Sequence, residues 1–346
     1  MHHDSSQSEP DPARRRFRGV AAFLLAALGL AGVASATPAI RLPQGELAGE
    51  SWDLISRLDS GHLVIAQAAL SNLGPGDRHA AVLGFLVDPD GAIHRFKRSE
   101  PAGKWTGASE GRLDLRSIAL EPGGSARRFE VAKDELGIDL TLASGSIQAS
   151  DAGSCSFELL EPAAPAAARV RIGAGAEPFA TQGRVALTHR WSTGLESDCV
   201  LRRVEVFVLE PTIGIYFAEA TAPDGAVSRR LVAERDGRVL FSGDPGPAAV
   251  RWSAEKGFAP PESVAFSAGG IAARVRFGAT LGSVDPIERL PAPVQWLVAA
   301  RTKPRLSWLR APFELDVAGR HVSGEAVAKV TYSNPLSTRV AAHSEE

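Results

Sequence analysis

The sequence predicts an all-β protein, two consecutive antiparallel β-barrels behind a cleaved N-terminal signal peptide. Three observations predict it. Apolar and polar residues alternate with period two along nearly all of the chain after residue 36, and no window there carries a sustained 3.6-residue stripe. Glycine and proline supply 34 and 23 of the 346 residues, a share that favours short elements joined by turns. Turn signals recur between the alternating runs, as at Asp88-Pro89-Asp90-Gly91, where proline presets φ and glycine accepts a positive one.

The first 36 residues read as an address. Arg14-Arg15-Arg16-Phe17-Arg18 is followed by an apolar run from Gly19 that ends in Ala34-Ser35-Ala36, the three parts of a secretory signal. Cleavage is expected after Ala36, giving an exported, periplasmic or secreted protein. Arg14-Arg15-x-Phe17 resembles a twin-arginine signal; an ordinary basic region feeding the general secretion route is the alternative. No cysteine stands at the expected cut, which argues against a lipid anchor. No second apolar run of that length follows, so no stable membrane span is expected after cleavage.

The first barrel is assigned to residues 37–160. His62–Leu70 is an alternating run that leads into the turn-rich Ser71-Asn72-Leu73-Gly74-Pro75-Gly76-Asp77. Ala81–Val87 and Ile93–Phe96 form a hairpin about the Pro-Asp-Gly turn, and Arg112–Leu120, Arg127–Val131 and Ile138–Ala143 continue the rhythm. Glu161-Pro162-Ala163-Ala164-Pro165-Ala166-Ala167-Ala168 breaks it and reads as a linker over 161–169, or else as a loop within one large barrel. The second barrel is assigned to 170–346. There Leu201–Leu209, Gly214–Ala220, Ala222-Pro223-Asp224-Gly225 and Val227–Ala233 reproduce the strand–strand–PDG–strand order. This reads as a duplicated unit, although a common turn chemistry also produces such matches. Asp236-Gly237, Gly269-Gly270 and Ala318-Gly319 mark further hairpins, and Ala326–Tyr332 is a closing strand. Counting runs gives about 15–18 strands. Closure into barrels removes sheet edges, and a barrel of about eight strands has room for packed side chains or one small ligand. A pair of flat, filled sandwiches is the competing architecture.

Lys plus Arg is 38 against 40 Asp plus Glu, so the formal charge is −2 and no concentrated basic surface marks a nucleic-acid partner. The two cysteines, Cys155 and Cys199, read as one disulfide in an oxidising compartment. Phosphate-loop, G-x-S-x-G, H-E-x-x-H and calcium-loop motifs are absent, and the histidines at 62, 79, 94, 189, 321 and 343 lack metal-ligand spacing. No metal or cofactor is therefore expected. Six tryptophans accompany two tyrosines and one methionine. His189 and Trp191 fall on one face of a strand, and with Tyr216 a strand away and Trp52 at the start of the first half they mark a candidate ligand wall with a polar handle. The competing role is packing, with the indoles plugging barrel ends.

Glu50-Ser51-Trp52-Asp53, the Leu70–Asp77 segment, Val87-Asp88-Pro89-Asp90-Gly91, His189-Arg190-Trp191 and Tyr332-Ser333-Asn334-Pro335 resemble the tandem lipocalin-like superfamily. That superfamily includes the AttH proteins, the CrtC carotenoid hydratases, Diels–Alderase relatives and fungal survival-factor lipocalins. The resemblance extends over about residues 45–335 through short motifs. It implies two lipocalin-like barrels and an apolar small molecule or lipid as partner. The hydratase branch pairs His-x-Trp with a later Tyr-x-Asp; here His189-x-Trp191 and Tyr216 match, but Ala218 occupies the acid position and Glu219 lies one residue late, on the opposite strand face. The departure favours an exported protein that binds or carries a hydrophobic molecule through Trp52, His189, Trp191 and Tyr216 in a barrel cavity. A cofactor-free hydratase or cyclase using His189, Tyr216 and Glu219 is the alternative. Protein partners are not indicated.

Overall fold

The computed structural model describes residues 40–335 apart from 42–43, 73–77, 108, 110, 124–125, 134, 144–147, 153–154, 254–256, 287–294, 296–298 and 301. The expected signal peptide and the turn at 73–77 lie outside the described residues. Everything described belongs to one compact unit, Pro38–Glu346.

The first sheet is built from β1 (Gly49–Leu58), β2 (Leu63–Ser71), β3 (His79–Val87), β4 (Ile93–Glu100), β5 (Leu113–Asp114), β6 (Ile118–Glu121), β7 (Ala126–Lys133), β8 (Leu136–Ala143), β9 (Gln148–Ala152), β10 (Cys155–Ile172) and β11 (Phe179–Ser192). Its strands run in the order β4-β3-β2-β1-β11-β10-β8-β7-β6-β5, with β9 also on β10. The second sheet holds β12 (Arg202–Leu209), β13 (Ile213–Thr221), β14 (Val227–Arg235), β15 (Arg238–Gly243), β16 (Ala249–Arg251), β17 (Ser263–Ala268), β18 (Ile271–Arg276), β19 (Thr280–Val284), β20 (Arg305–Val317) and β21 (Arg320–Tyr332). Its order, β15-β14-β13-β12-β21-β20-β18-β17-β16 with β19 on β20, repeats the first almost strand for strand.

Each sheet curls around its own apolar core. In the first, Phe96 of β4 meets Phe129 of β7 at 5.9 Å between ring centroids, so strands far apart in the pairing order touch across the interior. In the second, Phe217 of β13 stacks on Phe266 of β17 at 4.5 Å. A third core lies between the sheets, where Ile55, Ile65, Phe85 and Leu159 of the first meet Phe207, Tyr216, Val232 and Trp308 of the second. The alternation that buries one strand face in a barrel thus buries the other face against the neighbouring sheet. These strands are apolar on both sides, as the burial of Leu54, Ile55 and of Val206, Phe207 shows.

Residues 161–169 are not a linker. They lie within β10, which runs unbroken from Cys155 to Ile172, and the first sheet continues to Ser192 before a short 3₁₀ turn at Glu196–Asp198 leads into the second. Register shifts between Leu159 and Ala164 admit Pro162, which lacks an amide hydrogen to offer a neighbour. The alanines serve close packing. A methyl group on Gly214 of the second sheet would stand 2.2 Å from the Ala163 methyl of the first. The duplication is real in topology, but the two Pro-Asp-Gly turns are not equivalent. The first joins β3 to β4, whereas the second joins β13 to β14, one hairpin earlier in its sheet. The true counterpart of the β3–β4 turn is Asp236-Gly237, with φ of 52° and 74°, the left-handed pair that a tight hairpin needs.

Candidate functional site

Strand β11 lies between β1 and β10, and His189 on it stands directly opposite Trp52 on one side and Glu158 on the other. Alternation turns Val185, Leu187 and His189 toward the first core, and Ala186 and Arg190 toward the second sheet. His189 is enclosed. Its Nε2 lies 2.8 Å from Glu50 Oε1 and its Nδ1 3.0 Å from Glu158 Oε2, with all three side chains at most 5% exposed. The Trp52 ring is parallel to the imidazole within 1° at 5.0 Å, and Trp191 lies at 4.9 Å on a 35° tilt. Arg41 caps the group. Its amide donates to Glu50 Oε1 at 2.8 Å, its guanidinium donates to Glu158 Oε1 at 2.6 Å, and that guanidinium lies 3.8 Å from the Trp191 ring centre.

This arrangement sets one imidazole between two carboxylates. A neutral imidazole carries hydrogen on one nitrogen only, yet both nitrogens here face carboxylate oxygens. The second contact needs a second hydrogen, carried either by an imidazolium or by a carboxyl group. Burial alone would raise Glu158, but its hydrogen bond to His189 and the charges of His189 and Arg41 hold it below the ordinary carboxylate range. The Trp52 and Trp191 faces flank the imidazole within this cluster. The Trp52 Nε1 donor is buried and has no hydrogen-bond partner among the described residues.

The opposite face of the same strand carries a second charged group. Lys329 Nζ lies 2.7 Å from each oxygen of Asp53, and Arg190 pairs with Asp53 and also with Glu205 across the sheet junction. Tyr216 donates to Glu205 Oε1 at 2.8 Å. Burial would raise Asp53, but Lys329 and Arg190 outweigh it and bring the carboxyl to about 2. Burial, reinforced by the Glu205 carboxylate, raises Tyr216 well above a free phenol, so it remains a hydrogen-bond donor. Two acids and two bases, one of each from either sheet, tie the barrels together.

The candidate residues thus divide. Trp52, His189 and Trp191 come together at the first barrel. Tyr216 sits instead in the core between the sheets, stacked on Phe157 at 5.6 Å. Glu219 lies on the other face of β13 from Tyr216 and accepts from Arg229 Nε at 2.8 Å. Cys155 and Cys199 are disulfide-bonded, linking the start of β10 to the connector between the sheets. Both barrel interiors hold clusters of buried apolar side chains. Cavities of about 250 and 200 Å³ lie in the crevice between the sheets, both bordered by Cys155. The larger is lined by Glu50, Ser51, Leu70 and Trp191, the smaller by Phe157, Tyr216, Ala218 and Arg203. Among the described residues no group of three or more His, Cys, Asp and Glu is arranged to hold a metal ion.

Sequence reasoning did not single out Glu50, Glu158, Arg41 or the Asp53–Arg190–Glu205–Lys329 group. Glu50 was within reach, since it stands two residues before Trp52 and shares its strand face. Glu158 becomes legible only once β10 is paired with β11.

Two curled antiparallel sheets packed face to face, with a buried histidine near their shared end, define the tandem lipocalin-like fold that the sequence resemblance implied. Among solved structures, CghA superposes with a TM-score of 0.60 at 12% identity, over 88% of this chain and 94% of that one. The structure of CghA with Sch210972 gives 0.59 at 12% identity, over 84% of this chain and 89% of that one. An AttH-type protein from Nitrosomonas europaea gives 0.56 at 11%, over 88% of this chain and all of that one. Kievitone hydratase from Nectria haematococca gives 0.55 at 11%, covering 88% and 95%. Comparison with protein-family models finds no match, and neither does comparison with curated protein sequences.

Proposed function

We propose that this protein is an acid–base enzyme, a hydratase or cyclase acting on an apolar unsaturated molecule such as an isoprenoid or polyene. The observation that carries the reading is the buried Glu50–His189–Glu158 cluster, its imidazole set between two carboxylates and against two indoles. Addition of water to an alkene begins with protonation of carbon, which needs an acid in a dry setting, and the cation that forms is stabilised by aromatic faces. In this reading His189 gives its proton to carbon, Trp52 and Trp191 face the developing charge, water adds to the cation, and the proton that this water loses returns to His189 by way of Glu50 or Glu158. In this reading the acid missing from the strand of Tyr216 is replaced by the carboxylates flanking His189. Substrate reaches the cluster from the crevice beside Glu50 and Trp191, displacing the Arg41 cap. The name of one fold neighbour, kievitone hydratase, supports this reading over simple carriage.

The test is turnover of a panel of isoprenoids and polyenes followed by mass spectrometry for addition of water or cyclisation. His189→Ala should abolish turnover while the circular dichroism spectrum shows the β fold retained, with a melting temperature lowered by loss of the buried pairs to Glu50 and Glu158. If no panel member is turned over, and ligand instead co-purifies unchanged and binds the His189→Ala variant equally well, the protein is a carrier and the proposed chemistry is wrong.

A further inference from the structure

A groove of about 340 Å³ lies on the outer face of the first sheet, away from the histidine cluster. Its floor is made of small residues on three adjacent strands, Ala119 of β6, Ala132 of β7 and Gly137 of β8. Arginines stand on both sides, Arg112 and Arg116 flanking β5 and Arg169 and Arg171 on β10. They lean inward. A methyl group on Gly137 would lie 3.3 Å from Arg171 Nε, so the guanidinium of Arg171 extends over the bare backbone of β8. Arg112 reaches from the other side to Glu130 of β7 at 2.9 Å.

The carboxylates in the groove are already engaged. Glu130 is paired with Arg112 and Arg128, and Asp139 accepts two bonds from Arg128 at 2.9 and 3.0 Å. The side chains of Arg116 and Arg169 have no ion pair or hydrogen bond among the described residues. Arg116 is moreover held in the left-handed region, φ 69°, with its amide donating to Asp114 Oδ1 at 2.8 Å. Counting Arg128 with the four groove arginines against Asp114, Glu130 and Asp139 leaves an excess of two positive charges, in a chain whose net charge is −2. Guanidinium groups present flat pairs of donors that match phosphate oxygens.

We infer that this groove is a binding site for a phosphate-bearing ligand, a phosphomonoester, with Arg116 and Arg169 as its unpaired lining arginines. The inference stands independently of the catalytic reading above. Its test is titration of the full chain with inorganic phosphate and glycerol 1-phosphate by calorimetry, and co-sedimentation with phosphatidic acid vesicles against phosphatidylcholine vesicles. Saturable binding is expected to fall by at least about tenfold in Arg116→Ala/Arg169→Ala, because the charge-assisted bonds of two guanidinium groups are lost. Arg169→Lys, which keeps the charge and loses the fork, should fall between. Arg274→Ala on the second sheet should bind as wild type. Binding of soluble glycerol 1-phosphate identifies a free phosphorylated ligand, and binding of phosphatidic acid vesicles alone identifies a lipid headgroup. Absence of saturable binding to every probe, or equal loss in Arg274→Ala, overturns the inference.

Discussion

Replacing Lys329 with methionine tests the junction between the sheets. In the native protein Asp53 is fully buried, Lys329 is 2% exposed, and Arg190 is shared between Asp53 and Glu205. Methionine fills most of the lysine volume but leaves two carboxylates facing one guanidinium in a dry core. Breaking a buried pair from one side costs about 3–5 kcal/mol. Asp53 sets a lower bound. A carboxyl held at about 2 instead of 3.8 contributes on the order of 2 kcal/mol at neutral pH. Because its folded value is depressed, that contribution is fully present above pH 3.8 and is lost as pH falls through about 2. In Lys329→Met the Asp53 carboxyl rises, so the loss begins at higher pH. The assay is urea unfolding followed by tryptophan fluorescence at pH 7 and across the acid range, for Lys329→Met, Asp53→Asn and the double variant. The double variant restores neutrality, leaving Arg190 with Glu205, and should lose at least about 2 kcal/mol less than the sum of the single losses. A Lys329→Met protein within about 0.5 kcal/mol of wild type, or strictly additive losses, would refute the reasoning.

Four further outcomes are expected. Removing the Cys155–Cys199 bond, which closes a 44-residue separation, should cost about 4 kcal/mol and lower the calorimetric melting temperature by about 6 °C. Gly183→Ala should destabilise by at least about 3 kcal/mol in chemical denaturation, since its methyl group would lie 2.2 Å from the Arg57 carbonyl oxygen and 2.8 Å from Leu58 Cα. Glu50→Gln keeps the shape of the cluster but cannot carry the shared proton, and turnover on any substrate found should fall about a hundredfold with the melting temperature little changed. In the wild type, the depressed Glu158 adds stability above pH 4.5 that is lost as pH falls through its lowered value, and acid unfolding curves of Glu158→Gln should lack that component.

The fold was legible because its strands alternate, and alternation is a local property. The disulfide was legible because only two cysteines exist. Other features were hidden for particular reasons. A Pro/Ala-rich stretch looks like a connector, yet in β10 its small side chains are what allow two sheets to approach. The Pro-Asp-Gly turns mark hairpins correctly but carry no label of which hairpin, so aligning them shifts the repeat by one strand. His189 and Tyr216 each sit on an identifiable face of their own strand; nothing local tells that the two strands belong to different sheets. The ionic junction is the least readable, since Asp53 and Lys329 are 276 residues apart. Each reads alone as an ordinary polar residue on an alternating strand.

One consequence follows from how β11 distributes its side chains. His189 reaches into the barrel end and the adjoining Arg190 reaches into the crevice, with a single peptide unit of about 3.8 Å between their α-carbons. A molecule that settled beside Arg190 and tugged on its carboxylate partners would shift the very backbone that sets the imidazole between Glu50 and Glu158. One stretch of β11 thus borders the crevice with one side chain and sets the imidazole between Glu50 and Glu158 with the next.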